Sequence, residues 1–411
     1  MKFIILCFLL VCFHQPVHSK QKAIEIIPQK TNLKDIEGKF RECIAKCGTD
    51  CSKCFNIKQF NIQSPSRLSG ILRVPELYKS YPLSRSSPAT QSWYWETLKK
   101  KCGNKCHKIK ILALGDSWFA FPHSVNLITK SNASNVLSAL NDLDGYLIYS
   151  RSVVGGEVAK YLLEGLPEND LSLNSLKWFQ QQLQKEHFDY VLISGGGNDL
   201  FGPSSNNTEL DEWKRYKSGP GRLFFTVLKD EGTKSHSVQP LNSNFNPCND
   251  EEINSIIDED KWNTTFKVIK ESYKRILEKG KNKNIRFITH TYAPAFPGLN
   301  FVEYEFVGHL SNPIPYVWIY PDLKRTHLSE EKYPQFTRCL LRKFADTLKS
   351  VQGLEVIESD NDNYFNTCTS NDQCKRLWRD EIHLSYKGMG YMAYLFDKKI
   401  MELKYCSLNK D

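Results

Sequence analysis

Three short segments, far apart in the chain, carry residues whose types and spacing suit acyl transfer. The first is Gly115-Asp116-Ser117-Trp118, which follows a short apolar run. A serine on a strand-to-helix turn exposes its hydroxyl at a sheet edge. Its own N–H then lies near a helix N-terminus, where negative charge is favoured. That setting suits a nucleophile whose attack creates an oxyanion. The second segment is Gly196-Gly197-Asn198-Asp199. An Asn amide donates hydrogen bonds without carrying charge, and beside such a serine it stabilises a tetrahedral intermediate. Glycines before it let the backbone pass close to a substrate. The third is Asp380-Glu381-Ile382-His383. An Asp three residues before a His can bond that same imidazole, fixing its tautomer and stabilising its protonated form. Gly155-Gly156 adds a possible backbone donor to the same oxyanion. Taken singly, each segment has an ordinary alternative. Gly-Asn-Asp is a common turn and helix cap, Gly-Gly is turn chemistry, and Asp-x-x-His is often a surface loop.

The elements that must position these residues are legible as apolar runs. Residues 109–115, 145–150, 188–194, 285–290 and 354–358 read as five buried strands. Amphipathic stretches separate them at 157–165, 172–186, 262–279 and 335–350, and a last helical stretch follows His383. Strands alternating with helices predict an α/β fold: a three-layer α/β/α sandwich on a five-stranded parallel sheet. Ligands in such sheets bind beyond the carboxyl ends of the strands, and each segment above begins just beyond a strand or near the C-terminus. Two long polar or Pro-aromatic stretches, 200–260 and 294–334, read as excursions from the sheet.

The joint occurrence and order of these segments resemble the SGNH/GDSL hydrolase superfamily, whose four marker residues are Ser, Gly, Asn and His. The resemblance covers roughly residues 108–400. It implies a flavodoxin-like hydrolase fold with Ser117 as nucleophile, His383 as general base and Asp380 as the acid that orients it. It also implies an oxyanion hole from the Ser117 N–H, the Gly155 N–H and the Asn198 side chain. No cofactor and no metal are implied. The chain departs from the commonest pattern by carrying Trp118 where Leu is usual, and the marker glycine is Gly155 or Gly156. Trp118, His290 and Tyr292 are candidates for the substrate wall, with core packing as the alternative. Asp116 is read as a partner of local backbone.

Thirteen cysteines and the N-terminus set the compartment. Lys2 followed by an apolar run from Phe3 to Phe13 and a small residue near Ser19 predicts a signal peptide over residues 1–19. That removes Cys7 and Cys12 and leaves eleven cysteines, which export would oxidise. Residues 20–107 read as a Cys-rich N-terminal region and 108–411 as the hydrolase domain. Cys43, Cys47, Cys51 and Cys54, with Cys102 and Cys106, suit disulfide clamps between helices, with a four-Cys zinc site as the alternative. Cys368 and Cys374 could bridge the loop before His383. Asn132, Asn206 and Asn263 head N-glycosylation triplets.

The expected protein is a secreted or lumenal serine esterase acting on a lipid or an acylated carbohydrate. Two alternatives keep the fold: a carbohydrate O-acetyl esterase or acyltransferase on the same residues, and a non-catalytic binding protein. A formal charge of +9, carried by scattered lysines, is weak ground for a nucleic-acid partner. No run after residue 19 is long and apolar enough for a transmembrane helix.

Overall fold

The structure is a computed structural model. It describes residues 92–103, 108–120, 135–141, 145–152, 156–159, 176–201, 247–257, 259–281, 283–297, 319–323, 326–366, 374, 377–378 and 381–406. The expected signal peptide, the cysteines at 43, 47, 51, 54, 106 and 368, Gly155, Asp380, Asn132 and Asn206 lie outside the described residues.

Among the described residues the chain runs α1 (Ser92–Cys102), β1 (Ile109–Gly115), α2 (Ser117–Ala120), α3 (Val136–Asn141) and β2 (Tyr146–Ser150). It continues through α4 (Leu176–Lys185), β3 (Tyr190–Ser194), α5 (Gly197–Phe201), α6 (Glu251–Ser255), α7 (Glu259–Gly280) and β4 (Arg286–His290). It ends with α8 (Tyr320–Leu323), α9 (Tyr333–Lys349), β5 (Leu354–Ile357), α10 (Asn363–Asn366) and α11 (Tyr386–Met401). The five strands pair in parallel in the order β2-β1-β3-β4-β5. This is the flavodoxin-like order, whose switch point lies where the strand order reverses beside β1. The fold is the α/β layered sheet that the strand runs predict, with strand bounds within two residues of those read from the sequence.

Ile111, Leu112, Leu114, Val191, Leu192, Ile193 and Ile288 are completely buried, because a parallel sheet needs both faces covered. The helices supply the cover through one apolar stripe each. In α7, Trp262, Phe266, Ile269, Tyr273 and Ile276 recur at three- and four-residue intervals and are all buried. In α9, Phe336, Leu340, Phe344 and Leu348 repeat every fourth residue, and Pro334 in the first turn uses a position that lacks an intrahelical N–H partner anyway. Asn263 lies on the exposed side of α7. Among the described residues, no helix is long and apolar enough to cross a membrane.

Helix α1 packs on the sheet although it falls within the Cys-rich stretch of the sequence. Trp95 is buried, stacks on Tyr149 of β2 at 5.3 Å between ring centroids, and meets Phe188 at 5.6 Å. Glu186 ties the same junction, pairing with Lys99 of α1 and with Lys110 of β1, the latter at 3.1 Å. A disulfide joins Cys248 to Cys339, across 91 residues, and fastens the chain before α6 to α9. Cys102 and Cys374 are also disulfide-bonded. Trp95→Ala should cost about 3–5 kcal/mol, the usual range for emptying a buried aromatic site. Urea unfolding measures it; a loss below about 1 kcal/mol would mean that α1 lies outside the cooperative unit.

Candidate active site

Ser117 is the first residue of α2 and follows β1 after one intervening residue. That residue, Asp116, is tied down at every polar atom. Its N–H donates to the Ser194 carbonyl of β3 at 2.9 Å, and its carbonyl accepts from Phe119 and Ala120. Its Oδ1 accepts from the Trp118 N–H at 3.0 Å and from the Ser194 hydroxyl at 2.7 Å. Its Oδ2 accepts from the Tyr292 hydroxyl. Asp116 thus caps the helix that begins at Ser117 while also bonding the chain at the ends of β3 and β4.

The third-segment histidine meets the serine. His383 Nε2 lies 2.8 Å from Ser117 Oγ, and both residues are buried. With its proton on Nδ1, the imidazole accepts the serine hydroxyl proton through Nε2. The loop that carries His383 is held from several sides. Trp378 and Leu384 form an antiparallel bridge, and the Ser385 N–H donates to Leu377 O at 2.8 Å. Ser385 then caps α11 through its hydroxyl, which accepts from the Gly388 N–H. Glu381, fully buried, accepts from the Ile319 N–H at 2.7 Å, and its carbonyl accepts from the Phe296 N–H at 3.0 Å. Sequence reasoning missed Glu381; a carboxylate two residues from a candidate base reads as a solvated charge until its backbone partners are seen.

Asn198 belongs to α5, beyond the end of β3. β1 and β3 are neighbours with Gly115 opposite Ser194, so the serine turn and the Asn turn leave the sheet side by side. The Asn198 amide donates to the Gly156 carbonyl at 3.0 Å. Its Nδ2 carries a second N–H, the kind of donor an oxyanion needs. Gly196 adopts φ +109°, and a Cβ there would lie 2.5 Å from the Phe344 ring. Glycine is required at that point for both conformation and space.

The structure places Trp118, His290 and Tyr292 together in the core beneath the serine turn. Trp118 lies 5.0 Å from both the His290 and the Tyr292 rings, and all three are buried. His290 Nδ1 accepts the Tyr292 N–H at 3.2 Å, so its proton sits on Nε2, which donates to Ser194 Oγ at 2.9 Å. Ser194 then donates to Asp116, and Tyr292 donates to Asp116 from the other side. The result is a closed ring of hydrogen bonds running Tyr292–His290–Ser194–Asp116–Tyr292. Tyr292 adopts φ +62°, a conformation that disfavours an L-residue by roughly 1–2 kcal/mol. The ring holds it there. Burial drives the Asp116 carboxyl above its ordinary range, opposed by the hydrogen bonds from Tyr292, Ser194 and the Trp118 N–H. Burial pushes His290 down to about 3, so it stays neutral. Among the described residues, no group of three or more His, Cys, Asp or Glu is arranged to hold a metal ion.

No protein-family model matches the chain, and no curated protein matches it. Among solved structures it is similar to an acetyl xylan esterase, with 15% identity and a TM-score of 0.34 over 71% of this chain and 100% of that one. It is also similar to a GDSL-like lipase from Bacteroides thetaiotaomicron, at 12% identity and a TM-score of 0.32 over 75% and 98% of the two chains. A catalytic mutant of an acetylxylan esterase from Geobacillus stearothermophilus gives 12% and 0.32 over 71% and 94%. At TM-scores this low, function rests on the site itself.

The neutral His290 makes stability pH-dependent with a definite sign. Its folded value lies below the unfolded 6.5, so between pH 6.5 and about 3 the unfolded chain binds the extra proton. Stability from this group is complete above pH 6.5 and is lost as pH falls, by roughly 4–5 kcal/mol when fully expressed. Asp199 and Asp397, pushed up to about 7 and about 6, act in the opposite direction. Urea unfolding of the parent and of His290→Asn at pH 7 and pH 4.5 separates the two. The parent should lose more stability on acidification than the variant; equal losses would show that His290 is not held neutral.

Proposed function

We propose that this chain is a secreted or lumenal serine hydrolase of the SGNH/GDSL type that cleaves carboxylic esters. The observation that carries the reading is the 2.8 Å contact between Ser117 Oγ and His383 Nε2 at the carboxyl edge of a parallel sheet. An Asn amide, held in place on the adjacent strand end, supports it. The disulfide-bonded cysteines 102, 248, 339 and 374 support export, because such bonds persist in oxidising compartments.

In this reading His383 takes the Ser117 proton as Oγ attacks the ester carbonyl. The Ser117 N–H, the Gly155 N–H and the free N–H of the Asn198 amide receive the developing oxyanion. Asp380, three residues before His383, stabilises the imidazolium. His383 then gives its proton to the leaving alcohol, and the acyl group remains on Ser117. Water, deprotonated by His383, attacks that acyl group and releases the acid. His290 takes no part as a base, because burial keeps it neutral and both its nitrogens are committed.

Ser117→Ala should lower hydrolysis of p-nitrophenyl esters by about 10⁴-fold or more while leaving the unfolding midpoint nearly unchanged. Asn198→Ala should lower kcat by about 10²–10³-fold, the usual effect of removing one oxyanion donor. A fluorophosphonate probe should label the parent at Ser117 and not the variant. Persistent activity in Ser117→Ala would sink the assignment, and a parent that neither labels nor hydrolyses would favour a binding protein on the same fold. Ester panels of rising chain length separate an acetyl esterase from a lipase.

A further inference from the structure

Two consecutive residues of the Asn turn grip the chain that leaves β2. Asn198 Nδ2 donates to the Gly156 carbonyl at 3.0 Å. Asp199 accepts two backbone N–H groups, Val158 through Oδ2 and Ala159 through Oδ1, each at 2.9 Å. Gly195 lets the two segments touch, since a Cβ there would lie 2.3 Å from Val158 Cγ1. Asp199 is buried, and a second carboxylate, Glu157, acts on it from within the gripped segment. Among the described residues, the other titratable groups that pack on this turn are Tyr273 of α7, which donates to Gly195 O at 2.8 Å, and Tyr292.

A carboxylate that accepts N–H groups on both oxygens does so best when ionised, because protonation spends one oxygen on an O–H. The Gly156–Ala159 segment is therefore set by the charge on Asp199. Gly156 in turn fixes the rotamer of Asn198, and with it the direction of the second amide N–H. We infer that Asp199 is a positioning residue whose ionised carboxylate, opposed by Glu157, clasps the Gly156–Ala159 segment and so aims Asn198 at the oxyanion. The catalytic half of this inference rests on the hydrolase reading; the clasp does not. Burial and the Glu157 charge together push Asp199 up to about 7, so the clasp is complete above neutrality and weakens as pH falls through it. Hydrolysis should then lose rate on acidification as Asp199 is protonated.

Two readouts on the full chain test this. With ¹⁵N-valine and ¹⁵N-alanine labelling, the Val158 and Ala159 amide resonances should titrate with a midpoint near 7. Glu157→Gln should lower that midpoint, and Asp199→Asn should abolish the titration. With p-nitrophenyl acetate, Asp199→Asn should lower kcat about tenfold or more with KM changed far less, as expected for an interaction that matters mainly in the transition state. Glu157→Gln should raise the ratio of kcat/KM at pH 6 to that at pH 8 about threefold or more, because removing a like charge keeps Asp199 ionised to lower pH. That ratio should not respond to Glu157→Gln in an Asp199→Asn background. Amide midpoints near 4 in the parent, or superimposable pH profiles for parent and Glu157→Gln, would overturn the inference. Amides that titrate near 7 in a chain without Ser117-dependent hydrolysis would uphold the clasp and overturn its catalytic half.

Discussion

The carboxylate of Asp116 is the contact on which the geometry of the serine turn depends. It lies in the core, where a charge or a polar group without partners is expensive, and its partners come from three places at once. The Trp118 N–H belongs to the helix that begins at Ser117, the Ser194 hydroxyl ends β3, and the Tyr292 hydroxyl follows β4. Satisfying one side chain therefore fixes the relative position of three strand ends. His290 closes the ring between Ser194 and the Tyr292 backbone. The positive φ of Tyr292 makes sense in this light. An unfavourable backbone conformation persists where surrounding bonds over-determine it, and here the phenol and the N–H of the same residue are held at opposite ends of one ring.

Burial also separates two histidines that composition alone treats alike. His290 has both nitrogens committed and lies fully buried, so it is held neutral. His383 presents Nε2 to a hydroxyl. A parallel division runs through the acidic residues near His383. Glu381 spends its side chain and its carbonyl on the two ends of the chain between 296 and 319, which leaves the loop register, and hence the place of His383, determined by bonds that take no part in chemistry. Fixing a base within a few tenths of an ångström of its nucleophile requires such supporting bonds.

Much of this is legible in the sequence. The strands are, because a sheet covered on both faces demands continuous apolar runs such as Val191 to Ile193. The places of Ser117 and Asn198 beyond strand ends are, because each follows directly on an apolar run. The roles of Trp118, His290 and Tyr292 are not. A strand-end aromatic or imidazole suits a pocket wall and a buried network equally, and only the ring of partners around Asp116 distinguishes them. Asp116 reads from the sequence as bonding local backbone, which the Trp118 N–H bears out, but its longer-range partners at 194 and 292 leave no periodic trace. The pairing of Cys248 with Cys339 was equally invisible, since spacing identifies clustered cysteines and says nothing of a bond across 91 residues. Trp95 shows the same limit: its helix sits in a Cys-rich stretch by composition, yet its ring belongs to the sheet.

The partners chosen for the buried acids carry a further consequence. Asp116 is held by two hydroxyls and a backbone N–H, Asp199 by two backbone N–H groups, and Asp397 by the Tyr146 hydroxyl. Neutral donors fix a carboxylate in place without cancelling its charge, whereas an Arg or Lys would do both. The difference bears on Asp116. Asp116 is pushed up by burial, and the hydrogen bonds from Tyr292, Ser194 and the Trp118 N–H draw it back toward its ionised form. A cation in place of Tyr292 would satisfy Asp116 equally well and would cancel its charge. The hydroxyl ring thus lets the core hold a buried acid in place while leaving its charge uncancelled.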